Sequence, residues 1–185
     1  MRKLFSFNMI TLDGLFEGAN HNISWHNVDA EFNEFAIAQL NEIGTLLFGR
    51  VTYQMMASYW PTSEAVKNDP VVADLMNRMP KIVVSKTMAT AEWNNTKLIR
   101  GQSADEISKL KKQSGHDLAI FGSANLMSTL MGMDLIDEHR VMVNPVILGA
   151  GTPLFQTKDK FNLRLLGTRP FGNGNVLLCY ESNRK

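Results

Sequence analysis

Three short segments of this chain place glycine, hydroxyl and cationic residues directly after apolar runs. They are Gly49-Arg50-Val51-Thr52-Tyr53 after Thr45-Leu46-Leu47-Phe48, Ser85-Lys86-Thr87 after Ile82-Val83-Val84, and Gly122-Ser123-Ala124-Asn125-Leu126 after Leu118-Ala119-Ile120-Phe121. The chemistry such segments suit is anion binding. A helix that starts just past a strand offers free backbone N–H groups and a partial positive charge to a phosphate. Gly122 lets the backbone approach a ligand closely. Ser123 can cap a helix and donate a hydroxyl, and the Arg50 guanidinium can make two parallel hydrogen bonds to a phosphate. Each segment alone reads equally well as an ordinary turn or a solvated cation. Three on neighbouring strand ends make a stronger case, because ligands in open α/β sheets sit at the carboxyl ends of strands.

Other residue types widen the choice. Asp13, in Leu12-Asp13-Gly14, either orients a substrate hydroxyl or amine or forms a turn with Gly14. Asp29 and Glu31, which follow Trp25, read as acids favoured by the dipole of a helix N-terminus. His21 and His26 lie in one loop, while His116 and His139 are distant in sequence; no metal-ligand spacing results, and no metal is expected. Cys179 is the one cysteine and sits in the apolar run Val176-Leu177-Leu178-Cys179-Tyr180. It reads as a small packed hydrophobe, it excludes an intrachain disulfide, and it suits a reducing compartment. Neither G-x-G-x-x-G nor a P-loop is present, and no serine stands in a nucleophile elbow.

Positioning these residues requires alternating elements. Leu4 to Ile10 reads as a strand, with Leu4, Ser6 and Asn8 opposing Phe5, Phe7 and Met9. Thr11 to Asn27 is a long polar loop, of a length often used for lids and binding loops. Asp29 opens a helix with Phe32, Phe35, Ala36, Leu40 and Ile43 near a 3.6 period, ended by Gly44. A strand at Thr45–Phe48 leads into a helix from Val51 to Tyr59, stopped by Pro61. Strands at Lys81–Ser85 and Lys97–Ile99 come next, then a helix from Asp105 to Gln113 with Ser103 or Asp105 near its cap. Asp117–Phe121 is a buried strand, and the helix after it carries Leu126, Met127, Leu130 and Met131 on its apolar face. The end is nearly all strand: His139–Leu148, Leu163–Arg169 and Val176–Ser182, the last two joined across Gly172-Asn173-Gly174-Asn175. This order predicts one α/β domain over residues 1–185, with a mostly parallel central sheet, antiparallel C-terminal strands and helices on both faces.

Composition sets outer bounds. The 185 residues are 44% hydrophobic and 20% charged, with a formal net charge of +1, so a buried core is expected and a general attraction to nucleic acid or anionic membrane is not. Met1-Arg2-Lys3-Leu4 runs at once into a strand, and no apolar run approaches a membrane span. A cytoplasmic protein that meets a small-molecule substrate, without nucleic-acid or membrane partners, is the expectation. The stretch Val141 to Leu148 and the strand-rich end could supply a homodimer interface.

The ordered set of motifs resembles a known family. Thr11-Leu12-Asp13-Gly14, Leu47-Phe48-Gly49-Arg50-Val51-Thr52-Tyr53, Ile82-Val83-Val84-Ser85-Lys86, Phe121-Gly122-Ser123-Ala124-Asn125-Leu126 and Asn144-Pro145-Val146-Ile147-Leu148-Gly149-Ala150-Gly151-Thr152-Pro153-Leu154-Phe155 are similar to those of the dihydrofolate reductase superfamily. Within it the chain resembles the branch containing the C-terminal reductase domain of the riboflavin-biosynthesis enzyme RibD. The resemblance implies NADPH lying across the strand ends. It assigns Gly49, Arg50 and Thr52 to phosphate contact, Ser85 and Lys86 to the adenosine 2′-phosphate, and Gly122, Ser123, Ala124, Asn125 and Leu126 to the pyrophosphate. Ser123 stands where the family has a second glycine. Asp13 matches the riboflavin-type branch as a catalytic carboxylate. The implied activity is NADPH-dependent reduction of a small molecule, as by 5-amino-6-(5-phosphoribosylamino)uracil reductase. Two alternatives stay open: dihydrofolate reductase proper, with Asp29 or Glu31 at the pocket floor, and a nucleotide-binding sensor module without turnover.

Overall fold

In the computed structural model, residues 1–101 and 103–182 are described. The elements run β1 (Leu4–Thr11), β2 (Leu15–Glu17), a single 3-10 turn (Ala19–His21), α1 (Ala30–Asn41), β3 (Ile43–Gly49), α2 (Arg50–Tyr59), α3 (Ser63–Asn68), α4 (Pro70–Arg78), β4 (Lys81–Val84), β5 (Thr96–Ile99), α5 (Ser103–Lys111), β6 (Asp117–Phe121), α6 (Ala124–Gly132), β7 (Glu138–Asn144), β8 (Thr152–Pro153), β9 (Leu163–Pro170) and β10 (Val176–Ser182). Eight strands form one sheet in the order β5-β4-β3-β6-β1-β7-β10-β9. The first six are mutually parallel; β10 runs antiparallel to both β7 and β9. The expected fold class is the observed one.

The period of two along each strand sorts side chains onto two cores. Phe5, Phe7 and Met9 of β1, Leu46 and Phe48 of β3 and Val83 of β4 join Phe32 and Leu40 of α1, Tyr53 of α2 and Leu75 and Met76 of α4. Leu4, Leu47, Ile82, Leu118 and Ile120 point the other way, toward Ile107 of α5 and Leu126, Met127, Leu130 and Met131 of α6. Helices therefore cover both faces of the parallel part.

Several boundaries differ from the sequence reading. Gly44 does not end α1; the strand β3 already begins at Ile43. Pairing between β3 and β6 shifts register between Ile43 and Thr45, and a Cβ on Gly44 would lie 2.9 Å from Arg2 Nη2 and 3.0 Å from the His116 carbonyl. The glycine serves close packing, not helix termination. Strand β7 stops at Asn144, before Pro145, which has no N–H to continue the ladder. Helix α5 begins at Ser103 and ends at Lys111. Helices α3 and α4, absent from the sequence reading, are opened by Thr62, which accepts from Ala65 N at 3.2 Å, and by Pro70 at the first turn. Val141 to Val143, within the stretch expected at a self-association surface, are paired on both edges by β1 and β10. The open edge on that side is β9.

No helix among the described residues is long and apolar enough to cross a membrane.

Candidate active site

Strands β3, β4 and β6 end side by side, and their carboxyl ends open into a cavity of about 480 Å³, a volume typical of small-molecule sites. Nine of the ten residues assigned to phosphate or cofactor contact line it: Gly49, Arg50, Thr52, Ser85, Lys86, Ser123, Ala124, Asn125 and Leu126. Gly122 has φ +58°, and a Cβ there would lie 3.1 Å from Thr52 Cγ2 and 3.4 Å from Phe16 Cζ.

The turns after β3 and β6 are stitched to each other. Ser123 Oγ accepts from Gly49 N at 2.9 Å, and Thr52 Oγ1 accepts from Ser123 N at 3.1 Å. Ser123 holds a left-handed conformation, φ 58° and ψ 52°, that a residue with a Cβ adopts at a cost of about 1–2 kcal/mol. Neither Gly49 nor Ser123 caps its own helix with a side chain. First-turn residues of both α2 and α6 line the cavity, at the positive ends of two helix dipoles.

Cations complete this region. Arg50 is exposed, and its Nη1 donates to Gln54 Oε1 at 3.1 Å. Lys86 is exposed beside it. Ser85 is buried and its Oγ accepts from Thr87 N and Met88 N at 3.2 and 3.1 Å, shaping the loop that presents Lys86.

The far wall comes from the long loop after β1. That loop contains β2, which pairs with β8 in a two-stranded flap; Phe16, Glu17 and His21 line the cavity from the loop, and Thr152 and Gln156 from β8 and the segment after it. A Cβ at Gly151 would lie 2.2 Å from the Glu17 carbonyl oxygen, so only glycine lets β8 approach so closely. None of these five residues was assigned to the site from sequence. The unusual length of the Thr11–Asn27 segment was the available signal; the partner strand lies more than 130 residues away and gives no local sign.

Asp13 does not line the cavity. Its carboxylate accepts from Thr11 Oγ1 at 2.5 Å, Gly149 N at 2.8 Å and Leu148 N at 3.3 Å. Those donors, the Thr11 hydroxyl first, hold it below its ordinary pKa. It clasps the loop after β1 to the loop after β7. Asp29 and Glu31 are also engaged elsewhere. Asp29 caps α1 by accepting from Phe32 N at 2.9 Å, and Glu31 accepts from Gly172 N at 2.8 Å and Arg169 Nη2 at 3.2 Å. Cys179 is half-buried in β10, where burial raises its pKa. No group of three or more His, Cys, Asp or Glu among the described residues could hold a metal ion.

The model of one protein family, the RibD C-terminal domain, matches residues 2–177. Among known proteins, the chain is 34% identical over 177 residues to Uncharacterized protein YyaP of Bacillus subtilis (strain 168), spanning 94% of this chain and 92% of that protein. Among solved structures, a putative riboflavin biosynthesis protein from Shewanella sp. PV-4 is similar with a TM-score of 0.75 and 22% identity over 98% of this chain and 99% of that one. Dihydrofolate reductase from Enterococcus faecalis, complexed with NADP(H), is similar with a TM-score of 0.67 and 15% identity over 98% and 97% of the two chains. These likenesses identify the fold as dihydrofolate reductase-like.

Proposed function

We propose, from the premise that this chain belongs to the RibD C-terminal domain family, that it is an NADPH-dependent reductase of a small molecule bearing a C=N or C=O bond. The activity of riboflavin-type reductases on 5-amino-6-(5-phosphoribosylamino)uracil is the nearest chemical template. One observation carries the reading: two stitched helix N-termini without side-chain caps share a cavity with two exposed cations, Arg50 and Lys86, that form no ion pair among the described residues.

Those features fit a phosphorylated dinucleotide. The first-turn N–H groups of α2 and α6 would take the pyrophosphate. Arg50, Lys86 and the hydroxyl of Ser103, which also lines the cavity, would take a 2′-phosphate. Reduced nicotinamide, when bound, supplies a hydride. The chain's part would be to hold and orient the reactants, with Phe16, Glu17 and Thr152 of the flap forming one wall of the site. Asp13 acts here as the clasp that fixes the flap.

Dihydrofolate reductase proper is the weaker reading, because Asp29 and Glu31 are both used in fixing α1 and the hairpin. A sensor module without turnover predicts cofactor binding with no consumption across a panel of carbonyl and imine substrates.

The experiment is a thermal-shift titration with NADPH and NADH, on the native chain and on Arg50→Ala/Lys86→Ala. Ligand at a hundredfold excess over Kd stabilises by about 2.7 kcal/mol, a rise of roughly 5–10 °C for a domain of this size. NADPH should give that rise, with NADH well behind. The double variant should bind NADPH roughly 10- to 100-fold more weakly while NADH changes little. Equal losses for both cofactors would refute the 2′-phosphate role, and no shift with either would refute the reductase reading.

A further inference from the structure

Four residues lining the cavity carry charged or titratable side chains: Glu17, His21, Arg50 and Lys86. Arginine and lysine hold their protons through neutral pH. Histidine is the side chain whose ordinary pKa lies between pH 5 and 8, so His21 is the natural proton carrier of this lining. Its Nδ1 stands 2.9 Å from Glu17 Oε2. A carboxylate at that distance fixes the tautomer: Nδ1–H donates to Glu17, and Nε2 is left to accept or give a proton. The Glu17 side chain is 15% exposed and that of His21 65%. The carboxylate is thus anchored and the ring is open.

The backbone holds this pair in an unusual way. Asn20 and His21 have φ of 56° and 59°, two successive non-glycine residues in the left-handed region, and such strain gathers at functional sites. Glu17 is fixed by the close approach of Gly151 to its carbonyl. The nearby carboxylate of Asp13 is engaged by Thr11, Leu148 and Gly149 and does not compete for the ring.

Sheet order places the pair. From one side, the cavity meets Ser85 and Lys86 after β4, the two helix turns after β3 and β6, then Glu17 and His21 after β1 and Thr152 after β7. A dinucleotide whose 2′-phosphate meets Lys86 and whose pyrophosphate meets the helix turns has its nicotinamide left for the β1 side.

Resting on the reading of this cavity as an NADP(H) site, we propose that Glu17 and His21 form the proton-exchanging pair at its nicotinamide end. Reduction of a C=N or C=O bond by hydride addition leaves a lone pair on the heteroatom that must take one proton. That proton leaves His21 Nε2, its bonding pair stays on the imidazole, and the ring is reprotonated from solvent through its open side. Glu17 is a positioning residue that holds the tautomer.

The test needs no substrate. The His21 imidazole resonance, assigned by its loss in His21→Gln, is titrated by NMR in the free protein and with saturating NADP⁺ or NADPH. Dissociation constants for both cofactors are measured from pH 5.5 to 8 alongside. The oxidised ring carries a positive charge, so the His21 midpoint should fall in the NADP⁺ complex relative to the NADPH complex. NADP⁺ should correspondingly gain roughly three- to tenfold in affinity over NADPH as pH rises. His21→Gln should flatten that ratio across the pH range, and Glu17→Gln, which removes the carboxylate that holds the ring, should shrink the cofactor-induced change at His21. A His21 resonance that ignores both cofactors while both bind would overturn the pair's placement and spare the cofactor site. Absence of binding by either cofactor would overturn both.

Discussion

The two ends of the parallel sheet use their cations in opposite ways. At the amino ends, Arg2, Lys81 and Lys111 are buried, and every one is tied into the fold. Arg2 donates to the His116 carbonyl and to Thr45 Oγ1. Lys81 Nζ donates to the carbonyls of Met76, Asn77 and Met79, at the end of α4, and stands 4.4 Å from the Trp93 ring centroid. Lys111 Nζ meets the Leu135 carbonyl at 2.7 Å and Asp137 at 2.6 Å. At the carboxyl ends, Arg50 and Lys86 are exposed beside helix N-termini that their own side chains do not cap. Charge of one sign is buried and tied into the fold at one end, and at the other Arg50 and Lys86 stand exposed on the cavity. What separates the two is whether acceptors of the fold already surround the cation.

The comparison breaks if a cation at the amino ends proves dispensable. Lys81 is 1% exposed, and burial pushes its ammonium down to about 8. Lys81→Met keeps the aliphatic length and removes the donor, leaving three carbonyls at the end of α4 without it. A loss of about 2–4 kcal/mol is expected, seen as a fall in Tm of roughly 5–15 °C. The NADPH-induced rise should survive, because the cavity lies at the other end. An unchanged Tm would show that these contacts contribute little and that the contrast is one of geometry alone.

Acid should separate fold from site in a second way. Burial pushes both His26 and His139 down to about 4. His139 is 1% exposed, with Nδ1 3.0 Å from Ser6 Oγ. Between about pH 6.5 and 4 the unfolded chain takes up protons that the folded chain does not, so stability is full above 6.5 and falls as pH drops toward 4. Each imidazole should account for on the order of 1–3 kcal/mol over that window. Urea denaturation at pH 7, 5.5 and 4.5 measures it, and His139→Gln should remove part of the slope. A stability that stays flat down to pH 4.5 would mean that these rings open to solvent before the chain unfolds.

The same division explains what the sequence made legible. Strand ends such as Phe48-Gly49-Arg50 and Phe121-Gly122-Ser123 announce themselves locally, since an apolar run followed by glycine and a polar residue is both a strand end and a turn. Nine of the ten residues so marked line one cavity. The flap was not legible, because β2 has three residues and β8 two, too short for any period to register. Their pairing depends on Gly151 meeting Glu17 across the fold. Gly44 misled because a glycine after a helical pattern has two uses, termination and close packing, and only the position of Arg2 decides between them. Asp13 and Glu31 show the same ambiguity for carboxylates: each is recruited by backbone N–H groups far along the chain.

Ser123 tests the carboxyl ends most finely, because it combines two effects that substitution can separate. Its Oγ accepts from Gly49 N, which sets the turn before α2 against the turn before α6, while its left-handed backbone carries strain. Ser123→Ala keeps the strain and removes the bond, so stability should fall by about 1 kcal/mol and NADPH binding should weaken by roughly two- to tenfold as the turns lose register. Ser123→Gly removes the bond and relieves the strain, so its stability should return to near the native value while the weaker binding persists. The two variants, compared by Tm and by NADPH titration, therefore report the stitch in affinity and the strain in stability. Recovery of full affinity in the glycine variant would instead show that the backbone conformation alone sets the two helix N-termini, with the hydroxyl incidental.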